Sequence, residues 1–353
     1  MSKNESFLAK LGRAKKNSGM RREGYATWCS SVIKGEDGKY HMFASTWPYN
    51  TRLAYWTTHS EIIRCVSDTP EGPFKFQAQA LPPRGEGYWD ASMTHNPTIH
   101  KHGDTYILFY TGTKYIDTDD LIGNRLQAWN NKRIGIAVSK SVYGPWKRFD
   151  QPILLPRAGK WDSVITSNAA PCVREDGSVL LVYKSAARGE FEREENSILD
   201  LKLGVAYAKN YLGPYERIRE DCIFSEFGYE FDTEDAYVWW QDGKYHMLAK
   251  LFEHGEQLLG EAFAGYYATS PDGISWKMHD PPKGYSRTVT WEDGSTTTFE
   301  RAERVQLLIE DGKPTHMYLA CAERLKEKEL TLSRSICIPL RTQTKPVARA
   351  SRP

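Results

Sequence analysis

Two acidic groups stand at the start of strongly apolar segments in the second half of the chain. Glu234-Asp235 comes directly before the apolar run 236–239, and Glu303 comes just before the run 305–308. An unpaired charge at the start of a buried strand is costly, so these positions favour a functional role over a structural one. Hydrolysis of a glycosidic bond needs two such groups: a protonated carboxyl that donates to the leaving oxygen, and an ionised one that activates water or attacks the sugar.

A Trp-Asp pair adds two more candidate acids in the first half of the chain. The pair occurs as Trp89-Asp90 and again as Trp161-Asp162, and a Thr and an Asn follow each copy in register. An Asp in front of a strand often caps a turn, so a structural role for Asp90 and Asp162 is as open as a catalytic one.

These residues recur because the chain is built from repeats. A turn followed by an aromatic or apolar run occurs five times at a nearly constant interval, starting at Asp37, Gly103, Asp176, Asp242 and Asp311. A short strand that ends in a Gly-Pro-aromatic turn recurs in step, at residues 72–74, 144–146 and 213–215, with a degenerate copy at 272–276. Both turns suit hairpins. Each period then contains two hairpins, or four strands. Five such units closing in a ring predict an all-β, five-bladed β-propeller.

In a propeller the innermost strands line a central channel, and their first residues meet at one mouth of it. The residues expected there, blade by blade, are Cys29, Ser30 and Ser31; Asp90, His95 and Asn96; Asp162, Ser167 and Asn168; Glu234 and Asp235; Arg301, Glu303 and Arg304. Clustered carboxylates raise one pKa by repulsion, while a nearby Arg lowers another. We therefore predict catalytic roles for Asp90, Glu234, Asp235 and Glu303.

The other residues of this mouth are predicted to bind substrate. The predicted contacts are Trp89, His95, Asn96, Asp162, Asn168, Arg188, Trp239, Arg301 and Arg304. Trp89, Trp161 and Trp239 are candidate stacking walls for a sugar ring. The arginines could hold a carboxylate or sulfate group on the sugar. The role of His95 stays open among three: a substrate contact, a ligand of a metal or water, and an interior residue whose hydrogen bonds are satisfied.

Composition excludes several classes of function. The 353 residues include 47 basic and 45 acidic side chains, for a net charge of +2, so nucleic acid is not an expected partner. Without a run of 18 apolar residues, no membrane span is expected. The six cysteines lack metal-ligand spacing and indicate a reducing compartment. We expect a cytoplasmic protein, or a periplasmic or secreted one if a signal peptide has been removed. No cofactor is predicted, although a structural metal or water in the channel would fit.

The repeats divide the chain into one domain and two flanking segments. Residues 1–24 form an N-terminal extension with a short helical pattern, expected to pack on the propeller rim or to join a homodimer. Residues 25–340 form the propeller, and residues 341–353 a basic tail expected to be disordered. Long connections at 46–60, 114–132 and 187–199 are expected to cover the mouth.

Taken together, the sequence resembles the five-bladed propeller glycoside hydrolases. The five repeats, the segment 234–239, the segment 266–276 and Glu303-Arg304 carry the resemblance, over roughly residues 25–340. It is to the arabinanase and xylosidase group (family 43) and especially to the α-1,3-(3,6-anhydro-L-galactosidases) of family 117. The resemblance implies a base at Asp90 and acidic positions at Glu234 or Asp235 and at Glu303. Family 43 would place an Asp near Cys29, and family 117 a His at Ala302, where this sequence differs.

The preferred hypothesis is an exo-acting glycoside hydrolase that releases a terminal sugar from an oligosaccharide, with an acidic sugar or an anhydro-sugar as candidates. A propeller glycoside phosphorylase is a second hypothesis, which needs one acidic donor and an anion site for phosphate. A sugar-binding propeller without catalysis is a third.

Overall fold

The computed structural model describes residues 6–49, 55–187, 200–228, 231–325 and 330–341, which form five antiparallel blade sheets and one two-stranded hairpin. Blade 1 contains β1 (Tyr25–Lys34), β2 (Tyr40–Pro48), β3 (Glu61–Ser67) and β4 (Lys75–Leu81). Blade 2 contains β5 (Met93–His102), β6 (Thr105–Thr113), β7 (Arg133–Ser139) and β8 (Lys147–Arg148). Blade 3 contains β9 (Ser167–Val173), β10 (Val179–Ala186), β11 (Leu201–Ala208) and β12 (Glu216–Arg217).

The last two blades have the same up-and-down order. Blade 4 contains β13 (Thr233–Gln241), β14 (Lys244–Leu251), β15 (Gly265–Ser270) and β16 (Lys277–Tyr285). A small hairpin follows, made of β17 (Thr288–Thr290) and β18 (Thr296–Thr298). Blade 5 contains β19 (Arg301–Glu310), β20 (Lys313–Leu325) and β21 (Leu330–Pro339). The five-bladed propeller predicted from the repeats is confirmed.

The repeated turns work as their chemistry predicts. Each connects the first and second strands of its blade, and its glycine has a positive φ, as at Gly38 (77°) and Gly243 (76°). Since an inner strand runs away from the mouth and the second strand returns, the connections between second and third strands lie on the mouth side. Among the described residues, three helices occupy these connections: α1 (Trp56–His59), α2 (Leu121–Asn130) and α3 (Gly255–Leu259). No helix among the described residues is long and apolar enough to cross a membrane.

The N-terminal segment supplies the outer edge of blade 5. Met20 and Ser335 exchange backbone hydrogen bonds of 3.2 and 2.9 Å, and the Arg341 amide donates to the Lys10 carbonyl at 2.7 Å. The segment therefore lies beside β21, where a fourth strand would be, and joins the beginning of the chain to its end. Before it, a 3₁₀ helix (Phe7–Lys10) buries the Phe7 ring against Trp239 of blade 4.

This closure has a tight contact that a mutation can test. Gly19 has a φ of 69°, and a Cβ there would overlap the Ser335 carbonyl oxygen, whereas Gly24 has a φ of 76° and open space around it. Both Gly→Ala changes add backbone strain of about 1–2 kcal/mol. We expect Gly19→Ala to lower the free energy of unfolding by about 1–3 kcal/mol more than Gly24→Ala does, because β21 must move to make room for the added methyl group. Urea denaturation of both variants measures the difference; equal losses would contradict this account of the closure.

Candidate active site

The inner strands of all five blades share one irregularity near the mouth. In each, the pairing with the second strand shifts register, and one residue has a positive φ. These residues are Cys29 (56°), Asn96 (52°), Asn168 (51°), Asp235 (61°) and Arg304 (54°). A bulge of this kind redirects a side chain, here toward the axis of the propeller.

The five redirected side chains form a hydrogen-bonded series around the axis, which we call the axial ring. The Cys29 thiol donates to Asn96 Oδ1 (2.6 Å), and Asn96 Nδ2 donates to Asn168 Oδ1 (2.7 Å). Asn168 Nδ2 donates to Asp235 Oδ1 (2.7 Å), and Arg304 Nη1 approaches the same oxygen at 3.5 Å. Every member is buried, and the chain of donors ends at Asp235.

Two carboxylates lie next to the axial ring, on the residues that precede two of its members. Glu234 Oε1 and Glu303 Oε2 each lie 2.7 Å from Lys250 Nζ, so one ammonium group joins blades 4 and 5. Lys184 of blade 3 contacts Glu234 Oε2 from the other side, also at 2.7 Å. One carboxylate oxygen from each of Glu234, Asp235 and Glu303 lies within 4.8 Å of the other two. We call these three residues the acid cluster.

Burial and the lysines give the neighbouring acids opposite protonation behaviour. Burial would raise the pKa of Glu234, but Lys184 and Lys250 outweigh it and hold that pKa well below its usual range. For Asp235, burial first and the charge of Glu234 second raise the pKa to about 6, against the opposing effect of Arg304. Burial lowers the pKa of Lys250, yet Glu234 and Glu303 raise it more. The cluster thus contains one firmly ionised carboxylate beside one that holds a proton in mildly acidic solution.

His95 and a pair of indoles cover the mouth on the side of blades 1 and 2. The His95 ring stacks on Trp56 of α1 at 4.4 Å, and its Nδ1 lies 2.7 Å from the Ser60 hydroxyl. Burial, followed by the charges of Arg304 and nearby lysines, lowers the pKa of His95 well below its usual value, so the imidazole is neutral. Lys132 lies between Trp56 and Trp129, with Nζ 5.2 and 4.1 Å from the two ring centres.

The acid cluster has the donor set of a site for a hard cation. Three carboxylates within 4.8 Å of one another can ligate a divalent ion. In this structure, however, the Lys250 ammonium makes close contacts with two of them and neutralises charge that a metal would otherwise neutralise.

The structure contradicts the predicted placement of Asp90. Its fully buried carboxylate bonds Arg84 Nε (2.5 Å), Arg148 Nη1 (3.1 Å) and the Tyr110 hydroxyl (2.8 Å). Tyr110 and Arg148 belong to the second and fourth strands of blade 2, so Asp90 lies over the outer part of the blade. Trp89 packs there too, stacked on Tyr110. Neither reaches the axis, because the bulge that turns inward comes later along the chain, at Asn96.

Asp162 repeats this arrangement in blade 3. Its carboxylate bonds Arg157 Nε (2.9 Å), Arg217 Nε (2.6 Å) and the Tyr183 hydroxyl (2.8 Å), and Trp161 stacks on Tyr183. Asp162 and Trp161 therefore anchor the outer strand of the blade, and the prediction that they contact substrate at the mouth is contradicted.

The remaining predicted residues divide between the axis, the rim and the undescribed segments. Arg301 is half-exposed at the mouth, with Nη1 3.7 Å from Glu303 Oε1. Trp239 is instead buried between blades 4 and 5, packed on Phe7 and on two rings of its own blade, which contradicts a sugar-stacking role. Arg188 lies outside the described residues. The structure brings the other predicted contacts together at the axis: His95, Asn96, Asn168 and Arg304.

Sequence reasoning missed the lysines of the second strands. Lys184 and Lys250 stand at the same distance along the chain from the aspartates of their repeated turns, Asp176 and Asp242. That equal spacing was a usable signal, since it puts both side chains at the same level of neighbouring blades. The indoles Trp56 and Trp129 gave a weaker signal, because connections between strands have no fixed register.

Comparison with known structures places the fold. A family 117 glycoside hydrolase of the marine bacterium Zobellia galactanivorans is 15% identical, with a TM-score of 0.61 over 94% of this chain and 89% of the other. A protein described as a glycoside hydrolase reaches a TM-score of 0.66 at 14% identity, over 97% and 96% of the two chains. A thermostable family-43 glycoside hydrolase gives 0.57 at 13% identity, over 94% and 97%.

The chain therefore has the fold of the five-bladed propeller glycoside hydrolases, and the resemblance to families 43 and 117 is confirmed at that level. No protein-family model and no curated protein sequence matches it. At this identity the shared fold does not assign the reaction, which has to be argued from the acid cluster.

The corrected role of Asp90 is testable. We expect Asp90→Ala to lower the free energy of unfolding by about 3–5 kcal/mol, because it leaves Arg84 and Arg148 buried without their shared carboxylate. Asp150→Ala is the matched control: it removes only the solvent-exposed contact of Arg84 and should cost below about 1 kcal/mol. Urea denaturation gives both values. A stable Asp90→Ala protein would argue against the anchoring role.

Asp235 should make stability depend on pH. A carboxyl whose pKa rises from 3.8 to about 6 on folding binds its proton more tightly in the folded state. The contribution of Asp235 to the free energy of unfolding is therefore fully present below about pH 4. It is lost as the pH rises through 6, and the loss is roughly 3 kcal/mol. Asp235→Asn should remove this loss, as measured by thermal unfolding from pH 4 to 8. An unchanged pH dependence in the variant would contradict the assignment.

Proposed function

We propose that this protein is a glycoside hydrolase in which Glu234 and Glu303 carry out the reaction at the mouth of the propeller. The observation that carries this proposal is the pair of carboxylates sharing the Lys250 ammonium at 2.7 Å each, beside a third carboxyl, Asp235, whose pKa is raised to about 6. Oxygens of the pair lie within 4.8 Å of each other. This is close to the spacing of roughly 5–5.5 Å in retaining enzymes and shorter than the roughly 6.5–9.5 Å of inverting ones.

The lysines support different roles for the two glutamates. Glu234 accepts from both Lys184 and Lys250 and stays ionised, which suits the nucleophile that attacks the anomeric carbon. Glu303 has Lys250 as its one close cation and Arg301 at a longer distance among the described residues, so it is the better group for exchanging a proton with the leaving oxygen and later with water.

Asp235 supports the reaction as the carboxyl group of the acid cluster that binds the proton in mildly acidic solution. Three carboxylates within 4.8 Å do not ionise together without cost, and burial directs the proton to Asp235, whose pKa rises to about 6. Glu303 is near enough to receive that proton when a sugar displaces its contact with Lys250. In this scheme Asp235 acts through Glu303 and does not attack the sugar.

Exo action is proposed from the way the mouth is covered. Helices α1 and α2 lie on neighbouring blades and contact each other on the mouth side. The indoles of Trp56 and Trp129 enclose Lys132 at this contact and, with His95, cover one side of the site. A cover of this kind favours a pocket that accepts the end of a chain over an open groove.

An acidic sugar is proposed from the charge around the mouth. Lys132 and Lys184 are buried there, and Arg301 stands half-exposed at its edge. A carboxylate or sulfate on the terminal sugar would be attracted by these groups and would be desolvated together with them.

The first test replaces each glutamate by its amide. Glu234→Gln and Glu303→Gln should each lower kcat at least about a thousandfold on the aryl glycoside that the wild type cleaves, since each removes a group that acts in the transition state. Glu216→Gln, on the exposed outer strand of blade 3, is the matched control and should keep full activity. Circular dichroism checks that the variants are folded.

The outcome also separates the alternative functions. NMR of the first-formed sugar should show retained configuration at the anomeric carbon; inversion would refute the close glutamate pair as the catalytic pair. Release of a sugar 1-phosphate that depends on added phosphate would establish a phosphorylase instead. Binding of sugars by calorimetry, with no product from any glycoside, would establish a binding protein.

Association and location are also proposals. Any homodimer through residues 1–24 has to leave Phe7 in place, since that ring is buried within its own chain. Light scattering would distinguish a dimer from the 40.4 kDa monomer. A cytoplasmic location is proposed from the free cysteines.

A further inference from the structure

Tyr285, at the end of β16, reaches toward the acid cluster from the outer edge of blade 4. It pairs with Gly265 of β15, which in turn pairs with Lys250 of β14, so the three residues share one face of the sheet. Gly265 leaves room for the ring, because a Cβ added there would overlap Tyr285 Cε1. Strands are about 4.8 Å apart, so a phenol lying across one strand points its oxygen toward the next, here toward Lys250.

The hydroxyl of Tyr285 is fully buried and has no hydrogen-bond partner among the described residues. Burial first, and then the charges of Asp235, Glu303 and Glu234, raise the pKa of Tyr285 well above its usual value. A buried hydroxyl without a partner costs about 1–3 kcal/mol. In the part of the chain that the structure describes, no group accepts a hydrogen bond from this hydroxyl.

Two other tyrosines show what a satisfied phenol looks like in this fold. Tyr110 and Tyr183 each lie over a neighbouring glycine and donate to a buried carboxylate at 2.8 Å, that of Asp90 or Asp162. Tyr285 lies over its glycine in the same way but makes no such bond.

Asp235 offers an acceptor within the acid cluster. It accepts its hydrogen bonds from Asn168 and Arg304 at the same oxygen, Oδ1. An oxygen atom between Tyr285 and Asp235 could therefore accept from the phenol and donate to the carboxylate.

We propose that Tyr285 is a substrate-positioning residue, whose hydroxyl donates a hydrogen bond to one hydroxyl group of the bound sugar, while Asp235, ionised once its proton has passed to Glu303, accepts from the same group. Water takes this position in the free protein. The inference rests on the proposed glycoside hydrolase function and extends it, because it selects sugars with a hydroxyl at one ring position. A site built to bond a hydroxyl discriminates strongly against the analogue that lacks it.

Kinetics with deoxy sugars test this role. For the aryl glycoside that the wild type cleaves, Tyr285→Phe should lower kcat/KM by about ten- to a hundredfold. For the one monodeoxy analogue that lacks the bonded hydroxyl, the wild type and Tyr285→Phe should be equally slow. A merely structural role would lower both substrates alike. Equal kcat/KM for wild type and Tyr285→Phe, or equal losses on every deoxy analogue, would overturn the proposal.

The matched control is Tyr237→Phe, which removes a buried hydroxyl bonded to the Leu307 carbonyl (2.9 Å) in the same interface between blades 4 and 5. It should lower the melting temperature and leave the discrimination between the glycoside and its deoxy analogue unchanged. If it alters that discrimination as Tyr285→Phe does, the proposal fails.

A crystal structure of the free protein separates this proposal from the proposed function. It should show an ordered water within hydrogen-bonding distance of both Tyr285 Oη and a carboxylate oxygen of Asp235. This result would stand even if no glycoside were cleaved. A direct bond from Tyr285 to a protein acceptor, with no water between, would overturn the inference even if the glutamate variants behaved as expected.

Discussion

The structure of the site depends on one buried ammonium group. Lys250 Nζ contacts Glu234 and Glu303 at equal distances, and through them it fixes how blades 4 and 5 stand relative to each other. Burying these charges is favourable only if every one is compensated, and removal of one partner from a buried pair typically costs about 3–5 kcal/mol. Lys184 supplies the compensation from blade 3. Three blades are thus joined through four charged side chains.

Backbone strain at the mouth follows from the same need to bring side chains to the axis. Five non-glycine residues adopt positive φ there, one in each blade. Asn and Asp tolerate this conformation, but for Cys29 and Arg304 it costs about 1–2 kcal/mol each. The axial ring compensates for this strain, because each redirected side chain finds a hydrogen-bond partner in a neighbouring blade. Strain of this kind is concentrated at functional sites in proteins generally.

The sequence predicted what depends on local chemistry. Turns such as Asp37-Gly38 and Asp242-Gly243 require positive φ, so their recurrence revealed the blades. It did not reveal the fourth strand position of blade 5, because Met20 pairs with Ser335, near the opposite end of the chain. Such pairing depends on ring closure, which no local pattern contains.

For the candidate site, the sequence identified the acids of blades 4 and 5 but misplaced Asp90. Asp90 and Asn96 both precede the body of an inner strand, and the side chain that reaches the axis is decided by the bulge. The alternation of apolar and polar residues along a strand does not reveal a bulge, because the extra residue is itself polar. Lys184 and Lys250 were missed for a different reason: lysine is rarely buried unless paired, so a lysine in a strand is normally assigned to the surface.

Function in this ring arises from the loss of its symmetry. Blades 2 and 3 use an aspartate to anchor their own outer strands and contribute a neutral amide, Asn96 or Asn168, to the axis. Blades 4 and 5 contribute Asp235 and Arg304 instead, with a glutamate before each. Five identical side chains would share charge and protons equally, and none would be a distinct acid. Because the donors of the axial ring all lead to Asp235, one carboxyl differs from its neighbours, and acid–base chemistry requires that difference.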